Sequence, residues 1–142
     1  MTATNPLVGT WRCTGFVVRA VATGAETLPF GPDPLGYMTY TSEGYMSAFV
    51  TTRDRAAPIG AAIRDEEKIA LFDTMLSYVG TYSSDADTIT HHIAASWNQS
   101  WTGTDAIRHF RLDGDLLTID ARVLSPRTGE EIETTVSLVR AM

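Results

Sequence analysis

Few side chains in this sequence are equipped for catalysis or metal binding: three histidines, one cysteine and five tyrosines stand out. His91 and His92 are adjacent, so on a strand they project to opposite faces and cannot both reach one interior metal. His109 is the other histidine, and no H-E-x-x-H, C-x-x-C or His-x-His spacing occurs. No metal site is therefore expected. Cys13 has no partner for an intramolecular disulfide, and its early apolar surroundings suit a small buried hydrophobe better than a nucleophile. G-x-S-x-G, P-loop and G-x-G-x-x-G patterns are absent as well, which leaves hydrolase-elbow, nucleotide and dinucleotide chemistry without support and no cofactor expected.

What remains is a set of polar and aromatic groups spaced for strands. If the apolar face of 88–97 is interior, His91 points inward with Ile93, Ala95 and Trp97, while Arg108 shares a face with Phe110 and Leu112. Pairing Trp97 with Thr104 and Ile93 with Arg108, around a loop at 98–103, makes His91 and Arg108 diagonal neighbours. An inward histidine exchanges a proton near neutral pH, and an inward arginine holds a carboxylate or steadies an enolate. Tyr40, Tyr78 and Tyr82 add hydroxyls, Trp97 and Trp101 read as pocket or rim aromatics, and Met38, Met46 and Phe110 as apolar wall. Against this stands a plainer reading, in which each residue singly is a hydrogen-bonded structural group or a space filler.

The elements that must position these residues are mostly strands. Segments 7–22, 36–41, 45–50, 79–83, 88–97, 104–112, 116–124 and 132–140 are rich in β-branched and aromatic residues and separated by turn residues. The clearest hairpin joins 36–41 to 45–50 through Ser42-Glu43-Gly44. Three prolines at 29, 32 and 34 make a connection rather than an element. Residues 61–78 lack Gly and Pro, carry Asp65, Glu66 and Glu67 for a helix start, and place Ile69, Phe72 and Leu76 at helical spacing, which predicts one helix over or beside the barrel. About eight or more strands in up-and-down order with one helix fit an all-β, closed antiparallel barrel, in a single domain over 1–142.

Composition bounds the partners. With 44% hydrophobic and 20% charged residues and a net charge of −6, the chain has the makeup of an ordinary globular protein and no basic stripe for a phosphate backbone, so nucleic acid is not expected. Apolar runs are too short for a membrane span. The first residues lack the features of a secretory signal, from which a cytoplasmic location is expected, and the Asn98-Gln99-Ser100 acceptor pattern then has no consequence. A homodimer is left open.

Gly9-Thr10-Trp11 at the start of the first strand resembles the G-x-W motif of lipocalins. Gly36-Tyr37-Met38-Thr39-Tyr40-Thr41 with Gly44 to Ala48, Tyr78 to Tyr82, His91-His92, Trp101 to Thr104, and Arg108 with Asp113-Gly114-Asp115 are similar to successive blocks of the bacterial and fungal lipocalin-like domain family. The resemblance implies a calycin-type barrel closed at one end by Trp11 under Arg140. It also implies an interior for one small, largely hydrophobic molecule. Relatives of that kind include carriers and natural-product enzymes, so the alternative is a cofactor-independent isomerase or cyclase for a polyketide-like or terpenoid-like substrate, with His91 and Arg108 as its catalytic pair. A third reading is an interaction module whose barrel is filled by Met38, Met46, Trp97 and Phe110.

Overall fold

Alternating burial along each strand is the simplest outcome of a sheet wrapped around one core, and it runs through this chain. A computed structural model describes residues 5–141. Its strands are β1 (Gly9–Ala20), β2 (Glu26–Thr27), β3 (Leu35–Tyr40), β4 (Tyr45–Thr51), β5 (Met75–Ser84), β6 (Thr88–Ser96), β7 (Asp105–Asp113), β8 (Leu116–Leu124) and β9 (Glu131–Arg140). One helix, α1 (Asp65–Asp73), lies between β4 and β5, and a 3-10 turn (Gln99–Trp101) between β6 and β7. Each strand from β3 to β9 pairs antiparallel with the next, and β1 pairs with both β3 and β9, so eight strands close into a barrel with the short β2 added beside β1.

The core is built from inward positions two apart, such as Met46, Ala48 and Val50 on β4 and Leu117, Ile119 and Ala121 on β8. At one end Trp11 is fully buried, its indole N–H donates to the Leu7 carbonyl at 2.9 Å, and the Arg140 guanidinium stacks on its ring. Gly9 lies at φ +138°, and a Cβ there would come within 2.8 Å of the Arg140 guanidinium, so a glycine is what lets the arginine lie across this end. On the outer face Glu133 of β9 sits between Arg19 of β1 and Arg122 of β8, tying the closing seam.

Three expectations need correction. The helix spans nine residues rather than 61–78, because residues 75–78 pair with β4, from Thr51 opposite Met75 to Ala48 opposite Tyr78. Leu76, placed by its spacing on the helix, is instead a strand residue, and no residue of α1 is buried. The second correction concerns register: Ile89 faces Arg108 and His91 faces Ala106, a slip of four residues from the expected pairing. An even slip keeps every side chain on its face, so His91 and Arg108 remain diagonal neighbours. Third, a bulge between Val79 and Gly80 shifts the end of β6, leaving Ala95 exposed and setting Ser96 opposite the inward Tyr78. Gly80 permits it, since a Cβ there would overlap the His92 carbonyl.

Candidate functional site

The middle of the barrel holds one polar cluster. His91 enters from β6 with no accessible surface, between Tyr40 of β3 and Tyr78 of β5. The Tyr40 hydroxyl lies 2.8 Å from His91 Nε2 and the Tyr78 hydroxyl 2.7 Å from Nδ1. Burial, helped by the charges of Arg108 and His92, pushes the imidazole pKa down to about 3, so at neutral pH the ring is uncharged. Burial likewise raises both tyrosines, Tyr40 well above its usual range, so both hydroxyls keep their protons.

Arg108 enters from β7 beside this cluster. Its charge and a side-chain hydrogen bond from it to Tyr78 partly offset the effect of burial on that hydroxyl. It is half-buried, and among the described residues it has no carboxylate partner, whereas Arg19, Arg53, Arg64, Arg111, Arg122 and Arg140 all have one. An inward guanidinium without an anion is costly unless something else occupies its donors.

Two stacked cavities lead to it. The deeper, of about 50 Å³, is bounded by Met38, Val50, Tyr78, His91, Arg108 and Ile119 among others. The outer one, of about 690 Å³, opens at the barrel mouth between the end of β1, the start of α1-linked β5, the 3-10 turn and the β8–β9 turn. Phe16, Leu76, Trp101, Val123 and Thr134 line both, so the two adjoin across these side chains. The rim is aromatic: Phe16 meets Phe30 edge to face with ring centres 5.0 Å apart, and Trp97 meets Trp101 similarly at 4.9 Å. Phe72 reaches from α1 to 5.9 Å from Trp97. Across the mouth, Arg127 of the β8–β9 turn donates to the Asp73 carbonyl at the helix end, and Arg55 donates to the Leu71 carbonyl at 2.7 Å, so orphan carbonyls of the last turn are satisfied.

The residues expected at the site divide into two groups. Met38, Tyr78, His91 and Arg108 bound the deep cavity, Trp97 the mouth, and Trp101 both. Tyr40 and Met46 instead lie in the packed core, with Tyr82 and Phe110 against it, and none of the four borders either cavity. The Tyr82 hydroxyl donates to the Thr41 carbonyl at 2.8 Å, closing the β3–β4 turn rather than facing a ligand. His92 is outside the barrel, 2.9 Å from the Asp105 carboxylate. Sequence reasoning missed Phe16, Phe30, Phe72 and Thr134; strand alternation in 7–22 and 132–140 carried the signal for Phe16 and Thr134, but nothing local places Phe30 or Phe72 at a rim. Among the described residues no three His, Cys, Asp or Glu side chains cluster as metal ligands would, and no helix is long and apolar enough to cross a membrane.

A family model of the lipocalin-like domain matches residues 8–140, which takes in the whole closed barrel from β1 to β9. The chain belongs to that family. Searches of curated proteins and of solved structures give no significant match. A lipocalin-like domain is in general a small-molecule-binding barrel.

Proposed function

We propose that this lipocalin-like domain binds one small, largely apolar molecule through the barrel mouth, with a polar end lodged against Tyr78 and Arg108. The observation that carries the reading is the inward Arg108, without a carboxylate partner among the described residues, in the wall of a mostly apolar cavity that adjoins the larger one at the barrel mouth. The mouth volume of about 690 Å³ falls in the range of pockets that enclose small ligands. The narrow floor takes only a few atoms, which suits a terminal group and not a ring system.

The isomerase or cyclase reading has less support. Among the described residues no carboxylate borders the deep cavity, and burial makes His91 only weakly basic, with both ring nitrogens engaged by tyrosines, so no effective general base faces a bound molecule there. A filled interaction module is disfavoured by the cavities themselves. Native mass spectrometry of the protein purified from its own host tests the proposal: a retained small molecule, lost in Thr134→Phe where an added ring crowds both cavities, supports it. A correctly folded protein that neither retains nor takes up any apolar compound overturns it.

A further inference from the structure

The hydrogen bonds around His91 have a direction, and that direction reaches the cavity. A neutral imidazole has one N–H and one bare nitrogen, so of the two tyrosines one must donate to the ring and the other accept from it. Tyr40 decides which. Its hydroxyl is in a residue only 1% exposed, and among the described residues its sole partner is His91 Nε2. If Nε2 carried the proton, the Tyr40 O–H would have no acceptor in the packed core, at the cost of a buried, unsatisfied donor. Tyr40 O–H therefore donates to Nε2, Nδ1 carries the hydrogen, and Nδ1–H donates to the Tyr78 oxygen. The Tyr78 oxygen then accepts both from His91 and, through a side-chain hydrogen bond, from Arg108, which uses its two lone pairs, and its own proton is free to turn toward the deep cavity that Tyr78 borders with Arg108.

We propose that the floor of the barrel is a donor-only site, built from the Tyr78 hydroxyl and the Arg108 guanidinium, which selects ligands whose buried end only accepts hydrogen bonds: a carboxylate first, a carbonyl second, and never an amine or ammonium. This rests on the binding role proposed above and narrows it to a ligand class. His91 is in this scheme a positioning residue. It fixes the Tyr78 proton by occupying the Tyr78 oxygen, and the neutrality imposed by its burial keeps the chain of donors pointing one way. Arg108 has no lone pair to offer, so it can only donate.

Two measurements test it. The ¹⁵N spectrum of the imidazole in the intact, ligand-free protein should show His91 protonated at Nδ1 and bare at Nε2; the opposite tautomer overturns the proposal whatever the ligand is. The second is calorimetric titration with naphthalene and with its 2-carboxylate, 2-carbaldehyde and 2-aminomethyl derivatives, one apolar body with four different ends. The carboxylate should bind about 10- to 100-fold more tightly than the parent and the ammonium more weakly than the parent. Arg108→Met should erase the advantage of the carboxylate over naphthalene measured in the same variant, and Tyr78→Phe should weaken the carbaldehyde. Equal affinity for all four compounds leaves the cup in place and overturns the donor-only floor. Binding of none of them overturns the cup as well.

Discussion

The guanidinium carbon of Arg140 lies 4.2 Å from the centre of the Trp11 ring, with its nitrogens donating to the Pro6 and Val8 carbonyls and to Asp115. One side chain thereby joins the last strand, the segment before the first, and the β7–β8 turn. Trp11→Ala should cost about 3 to 5 kcal/mol in urea unfolding, as for other buried aromatic truncations. Arg140→Ala should cost less but still more than 1 kcal/mol, roughly the size of a cation-π contact with lost hydrogen bonds. In a double-mutant cycle the two should be non-additive; simple additivity would mean that the stack contributes nothing of its own.

His91 makes stability depend on pH in a definite window. Its folded pKa of about 3 lies below the ordinary 6.5, so between these values the unfolded chain binds a proton that the folded one refuses. Stability should therefore be full above pH 6.5 and fall as the pH drops toward 3, by a few kcal/mol at about 1.4 per pKa unit. Lowered carboxylates such as Glu133 and Glu67 add losses only below about pH 4.5. Urea midpoints of the parent and of His91→Gln between pH 6.5 and 4.5 isolate the histidine: the slope should be present in the parent and absent in the variant.

At Gly36 and Gly80 an added methyl would run into backbone, the Phe49 carbonyl and the His92 carbonyl respectively, and no side-chain rotation relieves that. Gly36→Ala and Gly80→Ala should each destabilise by about 2 kcal/mol or more, at the upper part of the range for overpacking. Gly24→Ala, at φ +75° with open space around it, should cost about 1 kcal/mol through backbone strain alone. Thermal melts of the three variants give the order, and a melt of Gly80→Ala equal to the parent's would contradict the close strand approach at the bulge.

Helix α1 has no buried residue and is tied to the rest of the chain by hydrogen bonds from Arg55 and Arg127 and by Phe72 beside Trp97. Its amides should exchange with solvent faster than those of β4 or β8, and faster still in Arg127→Ala, with the barrel amides unchanged. Protection of α1 equal to that of the strands would show that the helix is part of the cooperative core.

How far the sequence foretold this arrangement depends on the range of the forces involved. Segment 116–124 was legible to the residue because Asp113-Gly114-Asp115 ends the preceding strand, with Gly114 at φ +60°, and alternation then runs uninterrupted. Leu76 was misplaced because it satisfies two periods at once, helical with Ile69 and Phe72 and alternating with Tyr78; pairing with Val50 decides between them. His91 and Arg108 were found from alternation alone, which survives any even register error. The bond from Tyr40 to His91 was not found, since it joins β3 to β6, strands that are not neighbours in the sheet, and depends on how the closed barrel brings opposite walls together.

The pairing of β1 with β9 joins residues more than a hundred positions apart, and it is the pairing that closes the sheet. Loop-closure entropy of that size must be met before the contacts that reward it exist, so folding should be slow for a domain of this length and limited by the arrival of the final strand. On the ribosome the first eight strands wait with β1 and β8 both unpaired along one side, each a template for another chain. Exchange of β9 between two such chains would satisfy both edges with the same hydrogen bonds, which makes strand-swapped dimers the characteristic folding error of this barrel at high concentration.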